Sequence, residues 1–249
     1  MKVLLLTLLV IGGVFADVNR NPNLRVGENN TMAFFDCLRE IGYTGNEEAG
    51  VPVMDPLWVE EAYSDLAVYG GAAGLWGKAR VLNAFIVGIL GFEYDTVSGT
   101  IGILPPRFQF DVTLRFPRLQ VSIDHYDVNI FHERTNTNLH GVGRLAFDAR
   151  DLYVRLKLSL FFLSMGIQGI SIVPTLYGMN SFAITGLFND EEYSQQVSRD
   201  FLLNPYDAMA NISGSIDAVL SPLLTEVLLD TVVGNDNSLI WQCAFPSTR

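Results

Sequence analysis

The amino-acid sequence predicts an α+β fold in which a long, bent C-terminal helix lies along the concave apolar face of a curved and twisted antiparallel β-sheet. Apolar and polar residues alternate over long stretches between residues 108 and 160, which is the pattern of strands with one buried face. Apolar residues recur at three- and four-residue spacing between residues 209 and 228, which indicates a helix with one apolar stripe. Because each element must bury its apolar face, we expect the helix to lie along the concave face of the sheet.

The first sixteen residues have the features of a secretory signal peptide. Lys2 precedes an apolar run over residues 3–10, and the segment ends in Val14-Phe15-Ala16, with small side chains where a signal peptidase requires them. The alternative, a membrane anchor helix, is disfavoured because the apolar run is too short to cross a bilayer. The sequence therefore predicts a secreted, extracellular protein whose mature chain begins at Asp17.

The composition argues against nucleic acid as a partner. The chain has 16 basic and 27 acidic residues, a net charge of −11, and loss of Lys2 with the signal peptide leaves 15 and 27, a net of −12. Nucleic acids and anionic lipid headgroups are bound through clusters of lysine and arginine, and the sequence has none. With 49% hydrophobic and 17% charged residues, the chain is more apolar than a compact core of this size needs, which suggests an internal apolar surface.

Two helices are predicted before the strands. The first covers Thr31 to Ile41 and ends at Gly42, and with a loop it forms an N-terminal segment over residues 17–54. The second begins at Asp55-Pro56, with aspartate as the N-cap and proline at the first helical position. A single domain is expected from residue 55 to residue 234, because no linker-like composition divides it, followed by a tail over residues 235–249. The apolar stripe of the second helix comprises Trp58, Ala62, Leu66 and Tyr69.

Alternating runs predict long strands over Phe108 to Phe116, Leu119 to Ile123, Tyr126 to Ile130 and Leu145 to Leu160. Pro117 interrupts the alternation between the first two runs, as proline does at strand ends and bulges. A polar turn is predicted over residues 133–140. Residues 158–176 are apolar enough to suggest a transmembrane helix, but serines, glycines and Pro174 interrupt them, so a strand, a turn and a second strand are predicted instead.

Two helices are predicted at the C-terminal end. Asn189 and Glu192 form a capping-box pattern ahead of Tyr193, Val197 and Phe201, which follow at four-residue spacing. Asn204-Pro205 opens the long helix, which continues to Gly234. Pro222 lies inside this helix and is expected to kink it, because proline removes one backbone hydrogen bond and crowds the preceding turn.

The chain has two cysteines and two motifs for N-linked glycosylation. Cys37 and Cys243 lie near opposite ends of the mature chain and can pair in an oxidising compartment. The alternative is that they are two unrelated buried thiols. Asn29 in Asn-Asn-Thr and Asn211 in Asn-Ile-Ser are glycosylation acceptors by motif.

No catalytic or metal site is predicted, and no cofactor is implied. His125, His132 and His140 are separated by seven and eight residues, which matches neither a helical pair of ligands nor a closely spaced ligand motif. The sequence contains no nucleophile elbow, phosphate-binding glycine loop or Cys-x-x-Cys motif. The pattern favours a binding protein over an enzyme.

The alternation also predicts which side chains line the space between sheet and helix. A lipophilic small molecule would fit there, although the same two faces could equally pack together into a dry core. The predicted lining residues are Phe108, Phe110, Val112, Leu114, Phe116, Val121, Val154 and Leu156 on the strands, and Met209, Ile212, Ile216 and Leu220 on the helix.

Several segments resemble the insect takeout and haemolymph juvenile hormone binding proteins. The resemblance spans roughly residues 55–233, and residues 213–232 also resemble the closing helix of the mite group 7 allergens. The segments that carry it are Phe116-Pro117-Arg118-Leu119, Asp124-His125-Tyr126, Gly141-Val142-Gly143 as a turn, Gly186-Leu187-Phe188-Asn189 and Leu203-Asn204-Pro205.

The resemblance implies a single lipid-binding domain of the tubular superfold shared with bactericidal permeability-increasing protein, in which a highly curved antiparallel β-sheet forms a half-barrel that wraps the long bent C-terminal helix. In that superfold an apolar tunnel holds terpenoids, fatty acids or similar ligands, so the resemblance implies a secreted carrier that does not insert stably into membranes. A defence or surface-interaction protein that binds microbial or membrane lipid is the first alternative, and the uncharged segment Val81 to Phe92 could then enter a membrane surface. The second alternative is a structural or signalling protein with a filled core and no ligand.

Overall fold

The structure is a computed structural model that describes residues 26–45, 51–65, 75–103, 106–133, 136–161 and 166–217, together with Ser221 and Cys243. The predicted signal peptide, the start of the mature chain and the C-terminal tail other than Cys243 lie outside these residues. The described residues form six strands and three helices, which confirms the α+β class. In chain order the elements are α1 (Val26–Thr44), β1 (Leu57–Asp65), β2 (Leu75–Val87), β3 (Glu93–Ile103), β4 (Pro106–His132), β5 (Thr137–Phe161), β6 (Gly166–Ile184), α2 (Glu191–Leu203) and α3 (residues 205–217).

The six strands form one antiparallel sheet in the order β1-β2-β4-β5-β6, with β3 paired to β4. Strand β4 is 27 residues long, and two strands share one of its sides. β3 pairs with residues 106–115 of β4, and β2 pairs with residues 120–132. On its other side β4 pairs with β5 along almost its whole length. The long β4–β5 pair therefore forms the centre of the sheet.

The predicted helix at Asp55-Pro56 is wrong, because these residues precede strand β1. Leu57 and Val59 are buried while Trp58 between them is exposed, which is the alternation of a strand. The Asp55 carboxylate accepts hydrogen bonds from the backbone nitrogens of Gly88 at 2.9 Å and Leu90 at 3.0 Å. Aspartate before proline satisfies backbone donors in a turn as well as at a helix N-terminus, and here the donors belong to a distant turn. The predicted stripe residues Leu66 and Tyr69 lie outside the described residues.

The three alternating runs between residues 108 and 130 belong to one strand. The buried phase does change at Pro117, since Phe116 and Leu119 are both buried. In β5, Asp151 has a positive φ of 51° close to this point, and Leu152 and Ala149 on either side of it are both buried. The two central strands therefore change phase together, and one face stays apolar along their length.

Strand β5 begins earlier than the polar composition of residues 133–140 predicts. It starts at Thr137, so the turn after β4 is short and Gly141 and Gly143 lie inside a strand and not in a turn. A Cβ atom on Gly143 would lie 1.9 Å from the carbonyl oxygen of Thr185. Glycine is needed here because the segment after β6 crosses β5 at close range.

The described residues of the apolar stretch over residues 158–176 form the end of β5 and the start of β6, and the predicted turn between the two strands lies outside the described residues. Within the part of the chain that the structure describes, no helix combines the length and apolar character needed to cross a bilayer.

Helix α2 starts one residue later than the capping-box pattern predicts. Asp190 is the N-cap, and its side chain accepts a hydrogen bond from the backbone nitrogen of Tyr193 at 3.0 Å. Ser194 and Phe201 are its buried residues, whereas Tyr193 is exposed. Helix α3 follows directly, as predicted from Asn204-Pro205, and its predicted continuation with the kink at Pro222 lies outside the described residues.

Helices α2 and α3 cover the free edge of β6. The Ser198 hydroxyl accepts a hydrogen bond from the Ile184 nitrogen at 3.1 Å, and the Asp217 carboxylate accepts one from the Ile172 nitrogen at 2.6 Å. The Ser221 hydroxyl donates to the same carboxylate oxygen of Asp217 at 2.6 Å. These side chains replace the strand neighbour that an edge lacks, so the helices are fastened along the last strand.

Candidate ligand-binding site

The described strand residues of the predicted lining face the interior. Phe110, Val112, Leu114 and Phe116 of β4 are buried, and so are Val154 and Leu156 of β5. Val112 lies opposite Leu156 and Leu114 opposite Val154, so the four side chains share one face of the sheet. Their placement on the inner face is as predicted, and their contact with a ligand stays a prediction.

Strand β6 extends this apolar face with residues that the sequence analysis did not include. Ile172 lies opposite Leu156 and Leu176 lies opposite Leu152, and both β6 residues are buried. The alternation of Ile172, Pro174 and Leu176 in the sequence could have identified them. We name the row formed by Val112, Leu114, Val154, Leu156, Ile172 and Leu176 the inner row.

The second half of β4 continues the inner face. Val121 is partly buried and packs against the core, opposite Phe147 of β5. It lies beyond the phase change at Pro117, so its predicted inward direction agrees with the structure.

The helical side of the predicted lining is only partly buried. Met209 packs against the core and Ile216 is half-buried, whereas Ile212 is 39% exposed and departs from the prediction of a buried lining. Periodicity shows which face of a helix a side chain occupies, but whether that side chain is buried depends on how the helix packs against the sheet. Phe108 pairs with Leu160 through its backbone, but its side chain lies outside the described residues. Leu220 also lies outside them.

Helix α1 closes the inner face at the β3 end. The rings of Phe34 and Phe35 lie 6.2 Å and 5.3 Å from the ring of Phe110. A disulfide joins Cys37 of this helix to Cys243, with Cα atoms 5.5 Å apart. The sequence left this pairing open, and the structure confirms it. Phe110 therefore packs, from the inner face of the sheet, against both aromatic rings of α1.

The segment Val81 to Phe92 is not an exposed tip. Ile89, Leu90 and Phe92 are fully buried, and the Phe92 ring lies 4.8 Å from that of Phe116. The Tyr43 hydroxyl of α1 donates a hydrogen bond to the Leu90 carbonyl at 3.1 Å. The turn after β2 is thus folded under α1, because its apolar side chains complete the core, and Ile89, Leu90 and Phe92 are not available to enter a membrane surface.

The outer face of the sheet is polar around the middle of β4 and β5, and its charges there are largely paired. Arg155 binds the carboxylate of Asp111 at 2.6 Å and Arg118 binds that of Asp148 at 2.7 Å. These hydrogen bonds hold the pKa of Asp111 and the pKa of Asp148 below the usual range of an aspartate. A depression of about 760 Å³ on this face is lined by Arg115, Asp151, Tyr153 and neighbouring residues that are mostly polar. This part of the outer face offers little for an apolar ligand.

The remaining predictions concern metal and glycan sites. Within the described ranges, no group of three or more histidine, cysteine, aspartate or glutamate side chains is placed to hold a metal ion. Asn29 on α1 and Asn211 on α3 are both exposed, and their glycosylation stays a prediction.

Comparison with known proteins identifies a family. Residues 28–234 match the family model described as haemolymph juvenile hormone binding protein. The chain is also similar to the crystal structure of Epiphyas postvittana Takeout 1, with 17% sequence identity and a TM-score of 0.37, over 74% of this chain and 88% of that one. No curated protein matches the sequence.

Proposed function

Because the chain belongs to the haemolymph juvenile hormone binding protein family, we propose that it is a secreted carrier that holds a lipophilic small molecule against the inner row. The class of ligand is a terpenoid, a fatty acid or a similar molecule. The single observation that carries the proposal is the inner row itself, a continuous apolar surface contributed by three adjacent strands. The role is binding and release and not catalysis.

The affinity of such a carrier comes from removal of apolar surface from water. A ligand that buries about 400 Å² gains about 10 kcal/mol at about 25 cal/mol for each Å². A gain of about 10 kcal/mol corresponds to a dissociation constant of about 50 nM, and ordering costs subtract from this gain, so we expect dissociation constants in the submicromolar to micromolar range. The polar outer face lies on the opposite side of the same strands, so specificity for an apolar ligand follows from the alternation of the strands.

The first test is recovery of a ligand from the secreted protein. Native mass spectrometry followed by organic extraction should detect an apolar molecule in stoichiometric amount. The refolded, delipidated protein should bind a fluorescent fatty-acid probe, lose it to added terpenoids or fatty acids, and gain thermal stability from them. An empty protein that neither binds the probe nor gains stability would support a filled core.

The second test uses a matched pair of substitutions on one sheet. Val112→Glu places a charge on the inner row, whereas Val173→Glu makes the same change on the outer face of β6, where Val173 is exposed. We expect Val112→Glu to abolish probe binding and Val173→Glu to leave it unchanged. Ile216→Glu, at a half-buried position of α3, supplies an inward variant that is less damaging to the core. Normal binding by folded Val112→Glu and Ile216→Glu proteins would show that the lining is assigned wrongly.

A further inference from the structure

One end of the sheet exposes two large aromatic side chains side by side. Trp76 near the start of β2 lies opposite Phe131 near the end of β4. Directly opposed residues of an antiparallel pair share a face, and both rings are on the outer face, with Trp76 41% and Phe131 38% exposed. Contiguous exposed apolar patches on a protein surface often mark sites of interaction with a protein or a membrane.

The inner face is apolar at the same end. Leu139 of β5 lies opposite Ile130 of β4; Leu139 is 40% exposed and Ile130 is half-buried. Apolar side chains therefore occupy both faces where β4 turns into β5. We name Trp76, Phe131, Ile130 and Leu139 the apolar end of the sheet.

A second outward aromatic pair lies at the other end of β2, where Trp58 faces Phe85 with ring centroids 6.1 Å apart. The inner face is closed there, because Ile86, Ile89 and Leu90 are buried beneath α1. Trp58 is more exposed than Trp76, at 59%. Both ends of β2 therefore lie beside an exposed tryptophan. The end at Trp76 differs because its apolar surface continues onto the inner face of the sheet.

The surroundings of the apolar end are nearly neutral. Asn138 lies opposite Phe131, and Asn129 lies opposite Lys78. Among the described residues nearby, Lys78 lies opposite Asp65, with its Nζ 4.0 Å from the Asp65 carboxylate, and Glu133 is exposed, so these neighbours carry one positive and two negative charges and form no basic cluster. A surface without a basic cluster, on a chain with a net charge of −11, does not match anionic headgroups. Tryptophan and phenylalanine beside neutral amides match the interface of a zwitterionic bilayer.

We propose that the apolar end docks reversibly on a zwitterionic lipid surface and lets a lipophilic ligand move between that surface and the inner face. This rests on the proposed carrier function. The ring pair enters the interface, and Leu139 and Ile130 extend the apolar surface inward, so the ligand crosses less water during loading and release. Docking is peripheral, since only a few side chains enter the lipid.

The experiment uses the oxidised full-length mature protein and phosphatidylcholine vesicles, some of them with brominated acyl chains that quench nearby tryptophan. The sequence has three tryptophans, at positions 58, 76 and 241. The double variant Trp76→Ser/Phe131→Ser removes the docking rings, and Trp58→Ser is its matched control at the closed end. Co-sedimentation supplies a readout that needs no tryptophan, and circular dichroism checks the fold.

We expect wild type and Trp58→Ser to sediment with phosphatidylcholine vesicles and to be quenched by brominated lipid. The double variant should need at least about tenfold more lipid for half-maximal sedimentation, because it loses the buried ring area. Phosphatidylglycerol vesicles should bind wild type more weakly than phosphatidylcholine vesicles do, because like charges repel.

Equal sedimentation of the double variant and Trp58→Ser would overturn the proposal, and so would binding restricted to anionic vesicles or no binding at all. Probe binding in vesicle-free solution separates this inference from the carrier function. If the double variant binds the probe normally but docking fails in wild type, only the docking inference is lost. If no variant binds the probe, the carrier function is lost as well.

Discussion

Removal of the Cys37–Cys243 bond provides a quantitative test of the fold. The two cysteines are 206 residues apart in sequence, so the bond closes a very long loop in the unfolded chain. On the chain-entropy model a loop of this length stabilises the folded state by about 5 kcal/mol. For a chain of this size, 1 kcal/mol corresponds to about 2–4 °C in Tm, so a loss of about 10–20 °C is expected.

The assay compares wild type with and without dithiothreitol and a Cys37→Ser/Cys243→Ser variant, by guanidinium denaturation and by calorimetry. Reduction of wild type is the cleaner measurement, because Cys243 is buried and a serine hydroxyl there adds its own cost. Dithiothreitol should leave the double variant unchanged. Free energies of unfolding within about 1 kcal/mol of each other for oxidised and reduced wild type would refute the entropic argument. Loss of probe binding on reduction would further place α1, through Phe34 and Phe35, among the elements that keep the inner face closed.

Two further predictions concern carboxylates. Asp55→Ala removes the acceptor for the Gly88 and Leu90 nitrogens and should lower the free energy of unfolding, measured by urea denaturation, by about 3 kcal/mol. The control Glu60→Ala, at an exposed site of β1, should lower it by less than about 0.5 kcal/mol. Equal losses in the two variants would contradict the role of Asp55. Asp148 has a lowered pKa because of its hydrogen bond from Arg118, so its stabilisation is present above the unfolded pKa of about 3.9 and is lost as pH falls through the folded value. Asp148→Asn should therefore be less stable than wild type at pH 6 and lose less stability between pH 6 and pH 3, and identical pH profiles would show that the pair is inert.

The strands of the inner face could be predicted from sequence because alternation is a local property of an extended chain. Val112, Leu114, Val154 and Leu156 sit at every second position, and successive side chains of a strand point to opposite faces. The same reasoning placed the phase change at Pro117. It could not give the length of β4, since a strand that changes phase looks in sequence like two strands.

Other features needed partners far away in the chain. Asp55-Pro56 has the same local pattern in a turn as at a helix N-terminus, and the decision lies with Gly88 and Leu90, which follow it by 33 and 35 residues. The segment Val81 to Phe92 is uncharged whether it forms an exposed tip or a buried turn, and α1 decides which. Composition describes what a segment can bury, but not which element will cover it.

The sequence by itself determined the α+β class, the inward face of the central strands and the apolar stripe of the first turns of α3. The tertiary structure alone decided that β2 and β3 share one side of β4, that Cys37 pairs with Cys243, that Ile212 is left exposed, and that the two ends of β2 differ. Periodicity along the chain follows from the geometry of a few neighbouring residues. Strand pairing, helix cover and disulfide formation instead depend on which distant surfaces meet, and that is settled by the packing of the whole molecule.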